Sequence, residues 1–246
     1  MNEKIGLLGK NISYSFSQNY FTNKFKQEKN NNAFSYENFD IQNIEEFTKI
    51  LQINSNLIGL NVTIPYKETI IPFLDELSQN AKEIGAVNTI RISPNGKLFG
   101  DNTDYFGFNK SLKPLLKSHH KKALILGTGG AAKAVAFGLK KLNIESLFVS
   151  RLEKESTITY NEINAKIFDD YQIIINCTPL GTTPKTELFP DIPYSFFTPK
   201  HIAFDLIYNP EKTVFLEKAE NKGAIIKNGY DMLVFQAEKA WEIWIE

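Results

Sequence analysis

Cysteine is almost absent from this 246-residue chain, and its single representative, Cys177, excludes an internal disulfide. A lone cysteine is typical of proteins that work in a reducing compartment, so we expect a cytoplasmic location. Acidic and basic residues both number 28, and this zero net charge gives no general attraction to nucleic acid or to a membrane surface. No apolar run approaches the ~20 residues of a membrane span, and the first residues lack the apolar core of a signal peptide.

Histidine is also scarce, and the three present do not have the spacing of metal ligands. His119 and His120 are adjacent, whereas His201 lies far along the chain. We therefore expect no metal. The composition as a whole predicts a soluble globular protein.

The middle of the chain has the pattern of a buried strand, a glycine-rich turn and a helix. Residues 123–126 are continuously apolar, and Gly127-x-Gly129-x-x-Ala132 matches the dinucleotide-binding form. Gly127 permits a tight turn, and Gly129 lets the backbone approach a pyrophosphate near the positive end of the helix dipole. An ordinary strand-to-helix turn is the alternative. The flanking strand and helix favour nucleotide binding.

The first hundred residues alternate between strand and helix patterns, and polar residues follow several strands. In open α/β sheets, ligands bind at the carboxyl ends of the strands. Ser13, Ser15 and Ser17 precede a helix, where they either cap it or hold a small anion. Lys67 follows the strand that Pro65 ends, either as a surface charge or as a functional group. The patterns predict strands at 4–9, 33–40, 57–64 and 85–92, helices at 44–51 and 75–84, and a hairpin turn at Asn95-Gly96.

These polar strand ends resemble those of the shikimate dehydrogenase family. The motifs occur in the family's order: Ser15-Phe-Ser17, Asn61-Val-Thr-Ile-Pro-Tyr-Lys67, Gly85-Ala-Val-Asn-Thr89, Gly100-Asp-Asn-Thr-Asp104, Gly127-Thr-Gly-Gly-Ala131, Asn176-Cys-Thr-Pro-Leu-Gly181, Asp205-Leu-Ile-Tyr-Asn-Pro210 and Asn228-Gly-Tyr-Asp-Met-Leu-Val-Phe-Gln236. The resemblance implies an α/β fold of two domains. Residues 1–104 would bind substrate, completed by a C-terminal helix at 230–246, and residues 105–229 would form a Rossmann-like NADP-binding domain. The implied reaction is the reversible reduction of 3-dehydroshikimate to shikimate.

The resemblance also implies roles for individual residues. Lys67 and Asp104 match the catalytic pair, with Lys67 as the proton donor to the ketone and Asp104 as its partner; transfer of the proton by Asp104 is the alternative. Ser15 and Ser17 match the residues that hold the substrate carboxylate. Further substrate contacts are expected from Thr63, Asn88, Tyr208 and Gln236. Cofactor contacts are expected from Gly127, Thr128, Gly129, Gly130, Ala131, Ser150, Arg151, Lys154, Thr178, Leu206 and Gly229.

The residues after the second strand of the nucleotide domain favour NADP over NAD. NAD enzymes usually place an acidic residue at this strand end, whereas here Ser150-Arg151 occupies it, followed by Glu153. A guanidinium suits a 2′-phosphate. The segment 152–170 is shorter than in the family and looks extended at 156–160. Only a truncated crossover fits there, which predicts a more open adenine side.

Three other functions compete with an NADP-dependent shikimate dehydrogenase. A quinate/shikimate dehydrogenase would accept an extra hydroxyl and use NAD or NADP. A non-catalytic shikimate sensor would not need both Lys67 and Asp104, and a folate-linked dehydrogenase would not need the paired serines. The family includes monomers and homodimers, and we expect one of these two states.

Overall fold

Two six-stranded sheets organise the chain, and each belongs to a separate unit. The computed structural model describes residues 2–12, 15–28 and 33–246. The first unit contains the chain up to Thr103 and the segment Ala237–Glu246, and the second unit is Asp104–Gln236. Among the described residues, no helix is long and apolar enough to cross a membrane.

The first unit is built on a mixed sheet. Its strands are β1 Glu3–Gly9, β2 Phe34–Asp40, β3 Leu57–Val62, β4 Glu76–Leu77, β5 Thr89–Ile92 and β6 Leu98–Asp101, and its helices include α1 Phe16–Gln27, α2 Phe47–Ile53 and α3 Gln79–Ile84. The sheet order is β2-β1-β3-β5-β6-β4, with β1 parallel to both neighbours and β5 antiparallel to both of its own. The hairpin predicted at Asn95-Gly96 is confirmed: Gly96 has a φ of 81° in the turn between β5 and β6.

The predicted helix over 75–84 is wrong in its first half. Glu76–Leu77 is strand β4, which pairs with β6 at the edge of the sheet. Helix α3 begins only after Ser78, whose hydroxyl accepts a hydrogen bond from the Ala81 N–H at 3.0 Å. The predicted strand over 85–92 is likewise shorter than expected. Gly85 adopts a φ of +70° to end α3, so β5 begins only at Thr89.

The C-terminal helix, α8 Tyr230–Trp244, contributes to the cores of both units. Trp241 and Trp244 are buried in the first unit, where the Trp244 indole N–H donates to the Ile90 carbonyl at 3.0 Å. Met232 instead packs into a core of the second unit. The contacts therefore divide α8 between Gln236 and Ala237. The sequence instead predicts that all of 230–246 belongs to the first domain.

The second unit is built on a parallel sheet. Its strands are β7 Lys122–Leu126, β8 Glu145–Ser150, β9 Thr157–Thr159, β10 Ile173–Asn176, β11 Ile202–Asp205 and β12 Ile225–Lys227; its other helices are α4 Asp104–Leu112, α5 Gly130–Lys141, α6 Ala165–Asp170 and α7 Val214–Glu220. The order β12-β11-β10-β7-β8-β9 is the doubly wound order, in which the chain reverses direction across the sheet between β7 and β10. The central strands β7, β10 and β11 are almost wholly buried, as their continuous apolar runs predict.

The truncated segment after β8 contains a parallel strand but no helix before it. Residues 151–156 alone connect β8 to β9, and Thr157 pairs with Phe148. This short connection is long enough for parallel pairing. Because Thr157 pairs with Phe148, near the end of β8, the chain does not have to return to the start of β8. The extended conformation expected at 156–160 is thus observed at Thr157–Thr159. The expected helix appears only later and is the short α6.

Candidate active site

The glycine turn between β7 and α5 has the geometry of a phosphate-binding loop. Gly127 has a φ of +108°, and its N–H donates to the Val149 carbonyl at 3.0 Å, which fixes the turn against β8. Gly129 caps the 12-residue helix α5. A Cβ at Gly129 would meet no protein atom within 4 Å, so the open space above the helix N-terminus admits a ligand. The predicted strand, turn and helix are confirmed, and the loop fits a pyrophosphate.

Basic and hydroxyl groups from two segments lie beside this loop. The Lys154 ammonium is 3.5 Å from the Thr128 hydroxyl oxygen. Arg151 is exposed, whereas Ser150 is buried and accepts a hydrogen bond from the Leu152 N–H at 3.3 Å. The structure therefore brings Thr128 and Lys154 together and leaves the Arg151 guanidinium accessible. Such a donor set fits a phosphate on a ribose.

A buried hydrogen-bond network holds the ends of β10 and β11. Asn176 accepts from the Thr178 N–H and hydroxyl at 3.0 and 2.6 Å, and its amide donates to the Asp205 carboxylate at 3.1 Å. Asp205 also accepts from the Thr213 hydroxyl at 2.6 Å and from the Ile207 N–H at 3.0 Å. Burial raises the pKa of Asp205 to about 6, and these hydrogen bonds oppose the rise. We call this set the Asp205 network.

Two of the predicted cofactor residues lie next to the Asp205 network. The Gly229 N–H donates to the Ile207 carbonyl at 3.0 Å. A Cβ at Gly229 would lie 2.1 Å from the Leu206 carbonyl oxygen, so only glycine fits there. The backbone hydrogen bonds therefore join Leu206 and Gly229 to the segment that Asp205 holds. Cys177, in the same region, has a thiol pKa raised well above its usual value by burial, which does not suit a nucleophile.

In the first unit, the two predicted serines are buried at the start of α1. Ser15 is the N-cap of this helix, and its hydroxyl oxygen accepts from the Gln18 N–H at 3.3 Å. The capping interpretation therefore holds for Ser15, whose hydroxyl proton is still available to an anion. Ser17 is hydrogen-bonded to the Tyr36 hydroxyl. Ser13 lies outside the described residues.

The segment after β3 is held by backbone hydrogen bonds at Thr63 and at Lys67 itself. The Thr63 N–H donates to the Leu8 carbonyl at 2.9 Å, and the Val87 N–H donates to the Lys67 carbonyl at 2.7 Å. Lys67 is half-buried. The backbone therefore fixes the stem of the lysine, at the carboxyl end of a central strand of the first sheet.

Asn88 is buried and joins the start of β5 to the segment after β6. Its side-chain oxygen accepts from the Thr103 N–H at 2.7 Å, and its amide donates to the Thr103 hydroxyl at 3.1 Å. Its carbonyl accepts from the Val62 N–H at 2.8 Å. Asn88 thus ties the last residue of β3 to Thr103, which precedes Asp104.

The remaining predicted site residues belong to the second unit. Asp104 is buried at the start of α4, and Gln236 is buried in α8, where its amide donates to the Leu233 carbonyl at 2.9 Å. Tyr208 is half-buried after β11. Lys67 and Asp104 thus fall in different units, and their pairing stays a prediction. Across the described ranges, no cluster of three or more His, Cys, Asp and Glu side chains is placed to hold a metal ion.

Comparison with known proteins identifies the family. Residues 7–90 match the family described as the shikimate dehydrogenase substrate binding domain. A shikimate dehydrogenase (NADP(+)) of Clostridium botulinum is 40% identical in an alignment of 250 positions that covers 97% of this chain and 95% of that protein. The chain belongs to the shikimate dehydrogenase family.

Solved structures of the family match the whole fold. Shikimate dehydrogenase from Aquifex aeolicus has a TM-score of 0.87 at 34% identity, with 99% of this chain and 92% of that chain covered. The enzyme from Thermus thermophilus, solved in complex with NADP(H) and shikimate, has a TM-score of 0.87 at 29% identity, with 98% and 93% covered. The expected fold, an N-terminal substrate domain and a Rossmann-like NADP domain, is confirmed.

The family's motifs do not predict which residues support the site through hydrogen bonds. Asn176 and Asp205 lie in two of the family's motifs, which predict a role for neither. Both end a buried apolar strand, and a polar residue there is the signal that could have found them. Tyr36 carried no such signal, because its strand alternates like any half-buried strand.

Proposed function

We infer that this protein is an NADP-dependent shikimate dehydrogenase, which reduces 3-dehydroshikimate to shikimate reversibly. The observation that carries this conclusion is the 40% identity, over nearly the full length of both chains, to an enzyme of that name. Its small-molecule substrate fits the balanced charge of the chain. We also infer that it works in the cytoplasm, as a monomer or a homodimer.

Lys67 and Asp104 would carry the proton transfer. When bound, NADP supplies or accepts the hydride. Reduction of a ketone leaves alkoxide character on its oxygen, and a proton donor within hydrogen-bond reach stabilises it. The Lys67 ammonium would donate that proton and would act as the base in the opposite direction. Asp104 would hold Lys67 and a neighbouring substrate hydroxyl; transfer of the proton by Asp104 itself is the alternative.

The substrate would be held by hydroxyl and amide groups. Ser15 and Ser17 would donate to its carboxylate, and their burial at the N-terminus of α1 supports this role because hydrogen bonds to an anion are stronger away from water. The remaining polar contacts to the substrate would come from Thr63, Asn88, Tyr208 and Gln236.

The cofactor would lie along the carboxyl ends of the strands in the second unit. The turn from Gly127 to Ala131 would hold the pyrophosphate, and the open space at Gly129 supports this assignment. Arg151 and Lys154, with Ser150, would bind the 2′-phosphate. Thr178, Leu206 and Gly229 would line the nicotinamide end, where the Asp205 network orders the backbone.

A spectrophotometric assay of nicotinamide reduction tests this function. Purified protein would receive shikimate or quinate, each with NADP or NAD. We expect turnover with shikimate and NADP, and little with the other three combinations. Comparable rates with quinate or NAD would identify the broader quinate/shikimate enzyme. Binding of shikimate without turnover would identify a sensor.

A further inference from the structure

Tyr36 is a buried tyrosine in the middle of β2 whose hydroxyl has two polar partners in the first unit. Its hydroxyl donates to the Asn61 side-chain oxygen at 2.8 Å, and the Ser17 hydroxyl is hydrogen-bonded to it. The ring stacks on Phe21 at 4.9 Å with an interplanar angle of 12°. The aromatic packing therefore fixes the position of the Tyr36 oxygen, and the mobile part of the group is only its hydrogen.

The Tyr36 hydroxyl links three elements of the unit. Tyr36 is in β2, Asn61 is in β3, and the central strand β1 lies between them. Ser17 is in α1. A side chain that reaches from β2 across β1 is long enough to meet β3, because neighbouring strands lie about 4.8 Å apart. One hydroxyl thus joins the first turn of α1 to two strands of the sheet.

The hydrogen-bonding capacity of a phenol fixes the direction of each bond. A tyrosine hydroxyl has one hydrogen and can also accept. Its hydrogen is committed to Asn61, whose amide in turn donates to the Asn88 carbonyl at 3.4 Å. Ser17 must therefore be the donor to Tyr36. Burial raises the pKa of Tyr36, so the phenol keeps its hydrogen, and the bond from Ser17 opposes the rise.

We propose that Tyr36 is a positioning residue for Ser17 in the substrate-free protein: anchored by Asn61, its hydroxyl holds the Ser17 hydroxyl until the substrate carboxylate displaces it. This inference rests on the proposed function. An arriving carboxylate would take the Ser17 hydrogen, and this exchange is favourable because a hydrogen bond to a charged acceptor is about twice as strong as a neutral one. Tyr36 would keep its own bond to Asn61 throughout. The Tyr36–Ser17 bond therefore exists only before the substrate arrives, and substrate binding has to break it.

Tyr36→Phe is the variant that removes the hydroxyl and keeps the stacked ring. We expect the KM for shikimate to fall about fivefold, because the carboxylate no longer has to displace Ser17 from Tyr36. The kcat and the KM for NADP should stay within about twofold. Tyr20→Phe is the matched control, since Tyr20 is also in the first unit, contacts the Phe21 ring at 5.4 Å and bonds through its hydroxyl to Glu238 instead. It should leave all constants within about twofold.

A double-mutant cycle separates positioning from a general loosening of the unit. In a Ser17→Ala background, Tyr36→Phe should change the KM for shikimate by less than about twofold, because the Ser17 hydroxyl that bonds to Tyr36 is absent. The melting temperature of each variant is measured in parallel. An unchanged or raised KM in Tyr36→Phe would overturn the inference, and so would an equal fall in Tyr20→Phe. The same holds if Tyr36→Phe changes the KM as much in the Ser17→Ala background as in the wild-type protein. Absence of shikimate turnover by the wild-type protein would instead overturn the proposed function, and this inference with it.

Discussion

The Asn176 amide and the Asp205 carboxylate are joined by a 3.1 Å hydrogen bond across the ends of neighbouring strands, and both side chains are wholly buried. The two residues face each other in the register of β10 and β11. Each also accepts a hydrogen bond from the N–H two residues further on, at Thr178 and Ile207. One polar pair thus shapes both turns that the cofactor is expected to contact.

The buried Asp205 carboxylate predicts a particular pH dependence of stability. Its pKa rises from 3.8 to about 6 on folding, so ionisation of the folded protein costs free energy. The stability that the protonated form contributes is fully present below pH 4 and is lost as the pH rises through 6. Asp205→Asn removes this titration. Between pH 4 and pH 7 the wild-type protein should lose about 3 kcal/mol of unfolding free energy relative to the variant, measured by urea denaturation. If the unfolding free energies of the wild-type protein and Asp205→Asn changed equally with pH, the prediction would be wrong.

Lys67 is predicted to act in catalysis and not in binding of the cofactor. Lys67→Ala should lower kcat by about 10² to 10⁴-fold, because the developing alkoxide loses its proton donor. The dissociation constant of NADPH, measured by the fluorescence of its reduced nicotinamide, should change by less than about twofold. Lys82→Ala, at an exposed lysine of α3, should leave both quantities unchanged. Equal losses of turnover and NADP affinity in Lys67→Ala would mean that the lysine is structural.

Local signals made the nucleotide loop predictable from the sequence. The apolar run of β7, the glycines and the following helix are contiguous, and Gly127 has the positive φ that its role requires. The same holds for the Asn95-Gly96 hairpin. By contrast, Glu76–Leu77 forms β4 only because β6, later in the chain, offers an edge to pair with. The local sequence does not indicate that pairing strand, so its propensity predicts a helix.

The supporting residues of the site were unpredictable for a similar reason. Asn176 and Asp205 meet only because β10 and β11 pair in one particular register. Tyr36 reaches Asn61 only because β1 lies between β2 and β3, which fixes the distance. The roles of residues that contact a ligand can be transferred from a family motif. Residues that hold them depend on the packing of strands, which the order of residues alone does not reveal.

Arg151 is predicted to select NADP. A charge-assisted hydrogen bond to a phosphate contributes about 1.5–3 kcal/mol, so Arg151→Ala should raise the KM for NADP by about 10 to 100-fold. The KM for NAD, which has no 2′-phosphate, should change by less than about threefold. Lys166→Ala, at an exposed lysine of α6, serves as the charge-matched control. Steady-state kinetics with both cofactors check this, and equal effects on NADP and NAD would overturn the assignment.

Gly129 and Gly229 are predicted to tolerate alanine differently, because their surroundings differ. A Cβ at Gly129 meets no protein atom within 4 Å, so Gly129→Ala should leave the melting temperature within about 1 °C of wild type.

The same methyl group would occupy the space that a pyrophosphate needs, so the affinity for NADP should fall at least tenfold. Gly229→Ala would place its Cβ 2.1 Å from the Leu206 carbonyl oxygen, and it should lower both the melting temperature and the NADP affinity. Thermal unfolding and nucleotide titration of the two variants check this contrast. If Gly129→Ala bound NADP as tightly as the wild-type protein, the cofactor would not approach the turn at this position.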